Sequence, residues 1–415
     1  MEPSVQPNQR RLSPFISPLV TLWSNHGQRL LQVGIGLMIA AALWRLGLEL
    51  PRLLWGEGEV DAVDLISRHR EVERWFAQLP VYGAIANGDY PPASHPLLWP
   101  GVGWLSREAT RWFWAMTTLL MLGWLSWLGI RESRAETPWE KIFIALMPFA
   151  LYPASAGIRV GQIATHVIPP LVVGLLFIQH SPFRPDVKRD LLAAGLIIFA
   201  LVKPTVSAPF LWLACFMPGR WRPILLVIIG YLALALLAVQ YQEGNLLTLH
   251  LDWLNHASTQ LGTRGHASLH TWLEAAGLSK WMLPASLFMF GLAGLWTAIY
   301  RWACPWILLS VAAIVARLWV DHQVFDDLLL WIPLIALFRL TQLDATLWVR
   351  LTAAILFALN WFSLIAPARF LTPDHYLSSV AVPVQTTVWL GTLLFSMMLA
   401  HRDIVRAQDI PQEMT

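Results

Sequence analysis

LQVGIGLMIAAALWRL, residues Leu31 to Leu46, is an apolar run closed by an arginine and a leucine. A short way on, EGEVDAVDL, Glu57 to Leu65, sets four carboxylates in nine residues. The first segment approaches the roughly 20 apolar residues with which a helix crosses a bilayer. Charge so close to a membrane wall is costly unless water, a partner or a reaction uses it.

Runs of the first kind recur to the end of the chain. They lie near Phe113–Ile130, Ile142–Ala156, Ile163–Ile178, Leu191–Val202, Val206–Phe216 and Ile224–Val239. Others lie near Leu283–Tyr300, Pro305–Trp319, Leu328–Phe338, Leu347–Ile365 and Val384–Leu399. The expected fold is an all-α integral membrane protein with about 12 transmembrane helices. Of the 415 residues, 56% are hydrophobic and only 13% charged. A soluble domain carries about 25% charged residues, so the surface of this chain is made for lipid. The 24 tryptophans suit the membrane–water boundary. A net charge of +3, spread in short clusters, leaves no nucleic-acid footprint. Cys215 and Cys304 sit in apolar runs without a CxxC or histidine neighbour, so neither a disulfide framework nor redox work is expected. No repeat and no linker divides the chain. One transmembrane domain is expected over residues 30–400, between tails at 1–29 and 401–415. The first tail is polar and carries Arg10 and Arg11 ahead of the apolar run, unlike a cleavable signal.

Lysine and arginine set the orientation. Arg10/Arg11, Arg131/Arg134/Lys141, Arg184/Lys188/Arg189, Arg220/Arg222, Arg339/Arg350 and Arg402/Arg406 fall in alternate connections. The positive-inside rule puts these, with both termini, in the cytoplasm. The outer loops are then 47–112 and 242–282, and the acids of Glu57–Leu65 face outward. In DLISRHREVERWFAQL, apolar Leu65, Ile66, Val72, Trp75, Phe76 and Leu79 recur at helical spacing, which predicts an amphipathic helix lying along the interface. The following VYGAIANGDYPPASHPLLWP interleaves Pro91, Pro92, Pro96 and Pro100 with aromatics. Proline fixes φ and removes donors, which predicts a rigid, extended wall. Such a wall either returns the chain to the membrane or borders a sugar or headgroup site.

These residues carry a resemblance. Asp64-Leu65, Val81-Tyr82 and Asp89-Tyr90-Pro91-Pro92 resemble the first outer loop of glycosyltransferase family 87. Gly161-Gln162, Lys203-Pro204 in GLIIFALVKP, GHASL at Gly265–Leu269 and DHQVFDDLLLWIPL from Asp321 are similar to further motifs of that family, in the same order. The match covers roughly Leu31 to Leu340. It departs at His266 and Ala267, where the family has Asn and Gln, and at Arg68, where it usually has Tyr. The resemblance implies a GT-C type bundle with structured outer loops. It also implies hexose transfer, mannose being the commonest case, from a polyprenyl phosphate to a lipid or glycan acceptor. Tyr90, Gln162 and Asp326 would then be substrate-binding residues, with no metal or other cofactor. A bacterial plasma membrane protein of the cell envelope, with its site facing the periplasm or exterior, is the corresponding location.

The chemistry can be argued from the residues too. With no phosphate loop and no dinucleotide fingerprint, an activated donor has to reside in the membrane already. A sugar phosphate on a polyprenol leaves as a stable anion and needs no general acid. The acceptor hydroxyl does need a base within hydrogen-bond reach, an effect of about 10²–10⁴. Asp64 is the candidate base and Asp61, three residues earlier, the alternative; Glu57 and Glu59 read as solvated charge. The competing role for Asp64 is a helix N-cap. For the donor phosphate, Lys203 interrupts an apolar run ahead of a helix-breaking proline, although lysine also snorkels to interfaces. Arg159 beside Gly161-Gln162 is either an anion clamp or an interfacial anchor. His322, on a turn with Asp321, Asp326 and Asp327, bonds the donor phosphate, orients an acid or satisfies Asp321, and Arg264 is a fourth candidate.

His266 and His270 stand four apart, with His250, Asp252 and His256 upstream, but histidines of a polar loop are usually solvated and no metal is expected. The competing class is a multi-span transporter or lipid flippase. Such proteins usually show internal repeats with paired broken helices, and none is legible here.

Overall fold

The computed structural model describes residues 17–408 except 86, 87, 89, 180–185, 219, 220, 260–266, 345 and 367–374. Candidate Arg264 and residues Asp89 and His266 therefore lie outside the described residues. The described chain is helical, with no strand among these residues. The order begins with α1 (Ser17–Trp55), α2 (Val63–Phe76), α3 (Ser94–Leu98), a π turn over Trp99–Gly103, α4 (Arg107–Glu132), α5 (Pro138–Ala150) and α6 (Tyr152–Val160). It continues with α7 (Ala164–Gln179), α8 (Val187–Ala200), α9 (Pro204–Phe216), α10 (Trp221–Val239), α11 (Leu246–Thr259) and α12 (Leu269–Ala275). After a 3₁₀ turn over Ser279–Trp281 come α13 (Met282–Tyr300), α14 (Pro305–Leu318), a 3₁₀ turn over Val324–Leu330, α15 (Trp331–Leu343), α16 (Leu347–Ile365) and α17 (His375–Gln408).

Among the described residues, seven helices are long and apolar enough to cross a membrane: Gly27–Trp55, Arg107–Glu132, Pro138–Val160, Trp221–Val239, Ser279–Tyr300, Leu347–Ile365 and Val382–Val405. The chain is a multi-pass integral membrane protein by that measure. The expectation of about twelve is not reached, because several apolar runs form helices of well under twenty residues. α14 has 14 residues, which rise about 21 Å, against a hydrocarbon core of about 30 Å. Proline sets much of this. Pro204 holds Lys203 in an extended conformation and separates α8 from α9. The run predicted at Ile142–Ala156 is cut at Leu151, ahead of Pro153, into α5 and α6. The first outer connection also starts later than expected, because α1 continues to Trp55.

The helices fall into two populations. α7, α14 and the first half of α15 are buried nearly all round, as an apolar helix of a core should be. α10 and α13 expose Ile228, Leu232, Leu287 and Phe288 on the other side. Short buried helices thus form the centre, and longer, half-exposed ones surround it. α7 packs on α8, α14 on α9 and α17, and α15 on α16. α6 lies against the 3₁₀ turn Val324–Leu330, and that junction positions the polar residues.

Two expectations for the connection between α1 and α4 can be set beside its structure. The helix is where periodicity puts it, but Leu65, Val72 and Trp75 are buried in protein. The pattern of a lipid-facing stripe and of a protein-facing one is the same, and here the stripe packs inward. The proline-rich stretch is not extended throughout: from Ser94 it folds into α3 and the π turn. Pro96 is the third residue of α3, where the missing N–H has no helical acceptor in any case.

Candidate functional site

The first polar cluster joins the start of α2 to the end of α6. Ala62, in a left-handed conformation, caps α2, and its N–H donates to the Arg159 carbonyl at 2.8 Å. Gly161 ends α6 at φ 71°, and a Cβ there would lie 2.5 Å from Leu65 Cβ. Only glycine fits both the backbone and the space. Gly161→Ala should cost about 2 kcal/mol from the left-handed backbone and the overpacking together. Thermal unfolding of the purified variant reads this directly.

Asp64 is the second residue of α2 rather than its cap. Its Oδ2 accepts from Gln162 Nε2 at 2.8 Å. Gln162 Oε1 in turn accepts from the Ile163 N–H at 2.9 Å and the Tyr90 hydroxyl at 3.4 Å. Asp64 is half-buried. Asp61, the alternative base, has different partners: Arg159 Nε at 3.2 Å and the Gly58 N–H at 3.2 Å. Arg159 is 37% exposed. Glu57 and Glu59 are exposed, as solvated charge should be.

The second cluster surrounds the turn after α14. Lys203 Nζ donates to Asp326 Oδ1 at 2.5 Å, and His322 Nδ1 lies 3.1 Å from Asp326 Oδ2. The Gln323 N–H also donates to that oxygen, at 3.2 Å. Burial alone would raise the Asp326 pKa, but the ammonium of Lys203 and the neighbouring imidazole hold it below the ordinary carboxylate range. His322 therefore pairs with Asp326. Asp321, another partner weighed for it, accepts from Ser268 Oγ at 2.9 Å. The Nε2 of His322 is buried with no hydrogen-bond partner among the described residues. Arg317 donates to Asp327 alongside.

The two clusters share α6 as a wall. A Cβ at Gly157 would lie 3.6 Å from Phe325 Cβ and 3.8 Å from Gln162 Cβ, so the side bearing Asp64–Gln162 and the side bearing Asp326 approach through a single glycine. Ser94 Oγ, four residues after Tyr90, donates to the Val202 carbonyl beside Lys203 at 3.1 Å. Asp64, Asp61, Tyr90, Arg159, Gln162, Lys203, His322 and Asp326 all belong to this assembly. Beside it, an apolar groove of about 830 Å³ starts at Leu201 and Pro204 and runs between α9, α10 and α11 past Ile228 and Leu232.

Three residues escaped the sequence reading. Arg68 and Glu71 form a buried ion pair at 2.7 Å, and the Arg68 guanidinium sits 3.9 Å from the centre of the Tyr90 ring. The signal was present, because Arg68 lies on the stripe of Leu65, Val72 and Trp75 at helical spacing. The third is His95, stacked on Trp75 with ring centres 4.1 Å apart. Burial, and then the charge of Arg68, holds its pKa down to about 3. Unfolded, that imidazole takes a proton near pH 6.5, so the stability it permits is whole above 6.5 and is lost as the pH falls from there toward 3. By pH 5 the loss should reach about 2 kcal/mol. His95→Phe keeps the stack, and its melting temperature should fall less between pH 7 and 5 than that of the wild type.

Of the histidines once weighed as metal ligands, His270 pairs its Nε2 with Ser286 Oγ at 2.6 Å and His250 its Nδ1 with the Leu246 carbonyl at 2.7 Å. Among the described residues no three such side chains converge. The chain matches no family model, no curated protein and no solved structure.

Proposed function

We propose that this chain is a GT-C type membrane glycosyltransferase. It moves a hexose from a polyprenyl phosphate to a hydroxyl of a lipid or glycan acceptor on the non-cytoplasmic face, in a bacterial plasma membrane. The observation that carries the reading is the convergence at α6: a half-buried carboxylate on one side, a buried ammonium on the other, and an apolar groove that begins at Leu201 and Pro204, on either side of Lys203 in the chain. A base, an anion site and a place for a long apolar tail are the three parts such a reaction needs.

Asp64 accepts the proton of the acceptor hydroxyl, and that oxygen forms a bond to the anomeric carbon. The bond from that carbon to the phosphate oxygen breaks, its electron pair leaving with the polyprenyl phosphate. Attack from the back side inverts the configuration. Gln162 holds the Asp64 carboxylate in one orientation. Lys203 gives one donor to Asp326 and keeps two for the departing phosphate, and His322 offers Nε2 from the same side. Preorganised donors in a dry site stabilise developing charge more than water does. Arg159, partly exposed and tied to Asp61 through Nε, adds a second cationic donor set.

An apolar groove beside a buried cation also suits a lipid flippase. Proteoliposomes holding the purified chain and a labelled polyprenyl-phosphate hexose separate the two. Label appearing on an extracted lipid or glycan acceptor supports the transferase. Movement of labelled lipid between leaflets with no transfer would replace it by the flippase.

A further inference from the structure

A second cleft opens on the far side of the first outer loop, between the segment after α2 and the helix α11. It has a volume of about 490 Å³ and is bordered by Tyr82, Glu243, Asp252, Asn255 and His256. That volume falls in the roughly 300–1,000 Å³ of small-molecule sites. Its floor is a separate small core of Trp75, Val81, Ala238 and Leu249. Two bonds fasten this core across 163 and 167 residues: Trp75 Nε1 donates to the Ala238 carbonyl at 3.0 Å, and Gln242 Nε2 to the Trp75 carbonyl at 2.9 Å. The cleft is thus a built surface, held by packing on both of its walls.

We propose that this cleft binds an uncharged sugar, a unit of the acceptor glycan beyond the one whose hydroxyl meets Asp64. The lining supplies two carboxylates, three amides, an imidazole and the ring of Tyr82. Carboxylates accept hydrogen bonds from pairs of hydroxyls and repel phosphate, so the donor lipid is excluded and a neutral polyol is selected. The Tyr82 ring offers an apolar edge for the C–H face of a sugar. Burial first, and then the charge of Glu71, keeps its phenol protonated and able to donate. It donates to the Tyr90 carbonyl at 2.8 Å, and the Tyr90 hydroxyl reaches Gln162, the residue that holds Asp64. One residue of hydrogen-bonded wall therefore separates the cleft from the residues around Asp64. That the sugar belongs to the acceptor rests on the transferase reading; that the cleft binds a neutral sugar does not.

Binding is measured without any donor, by saturation-transfer NMR on the chain in nanodiscs, with methyl hexosides and neutral disaccharides against hexose 1-phosphates. A neutral glycoside should bind, and the matching sugar phosphate should bind at least tenfold more weakly. Asp252→Asn and Asn255→Trp alter exposed positions of α11. Each should weaken the glycoside about tenfold or more while leaving thermal unfolding unchanged. No binding of any neutral glycoside, a preference for the phosphates, or indifference to both variants overturns the proposal. Binding that persists where transfer is never detected removes the transferase reading and leaves the cleft. Transfer that persists while the cleft fails these tests does the reverse.

Discussion

Asp64→Asn should lower hexose transfer from polyprenyl phosphate by about 10²–10⁴, with the protein folded and the donor still bound. The substitution is nearly isosteric, and Gln162 keeps a carbonyl oxygen to donate to, so the start of α2 stays in place. What disappears is the group that accepts the acceptor proton. The loss should appear in kcat for both donor and acceptor, since a base acts only as the transition state forms. Asp61→Asn is the informative companion. Its carboxylate already accepts from Arg159 and the Gly58 N–H, so its removal should act on the placement of Arg159 and cost far less. Full transfer by Asp64→Asn, or a larger loss in Asp61→Asn, would move the base to another carboxylate.

The reading of α2 shows what a single sequence conveys and what it withholds. A period near 3.6 placed a helix almost to the residue, because the stripe of Leu65, Val72 and Trp75 has to be covered by something. Whether lipid or protein covers it is absent from the pattern, since both are apolar. Arg68 on that stripe was the one local hint of protein, for a buried guanidinium needs a partner, and Glu71 supplies it. The pairing of Gln162 with Asp64 crosses 98 residues and has no local signature; resemblance singled out Gln162 itself, but not its partner. Of the roles open to His322, its geometry matches the orienting of an acid, and the spacing says which one. Asp321 precedes it directly, while Asp326 at i+4 is the neighbour that a turn brings around. The expected span count is met in part, by seven long helices among the described residues, because prolines shorten the others and hydropathy does not register that. Pro96 and Pro100 were given their interior role, when in the first residues of a helical turn prolines are tolerated.

Lys203→Met should destabilise the fold by about 3–5 kcal/mol and abolish transfer. Both members of the Lys203–Asp326 pair are buried, with side chains 10% and 4% exposed. Methionine preserves the length of the lysine stem but leaves the Asp326 carboxylate with only His322 and one backbone N–H beside it. An uncompensated buried charge carries that penalty, whereas removing both charges of a buried pair is often neutral or stabilising. The double variant Lys203→Met with Asp326→Leu should therefore recover most of the lost stability. It should not recover transfer, because no ammonium remains to meet the leaving phosphate. Thermal unfolding and transfer measured on the same two proteins separate the structural role from the chemical one. A double variant that regains both stability and transfer would reduce the pair to a tie between α9 and the turn after α14, and the donor phosphate would then have to be held from the Arg159 side.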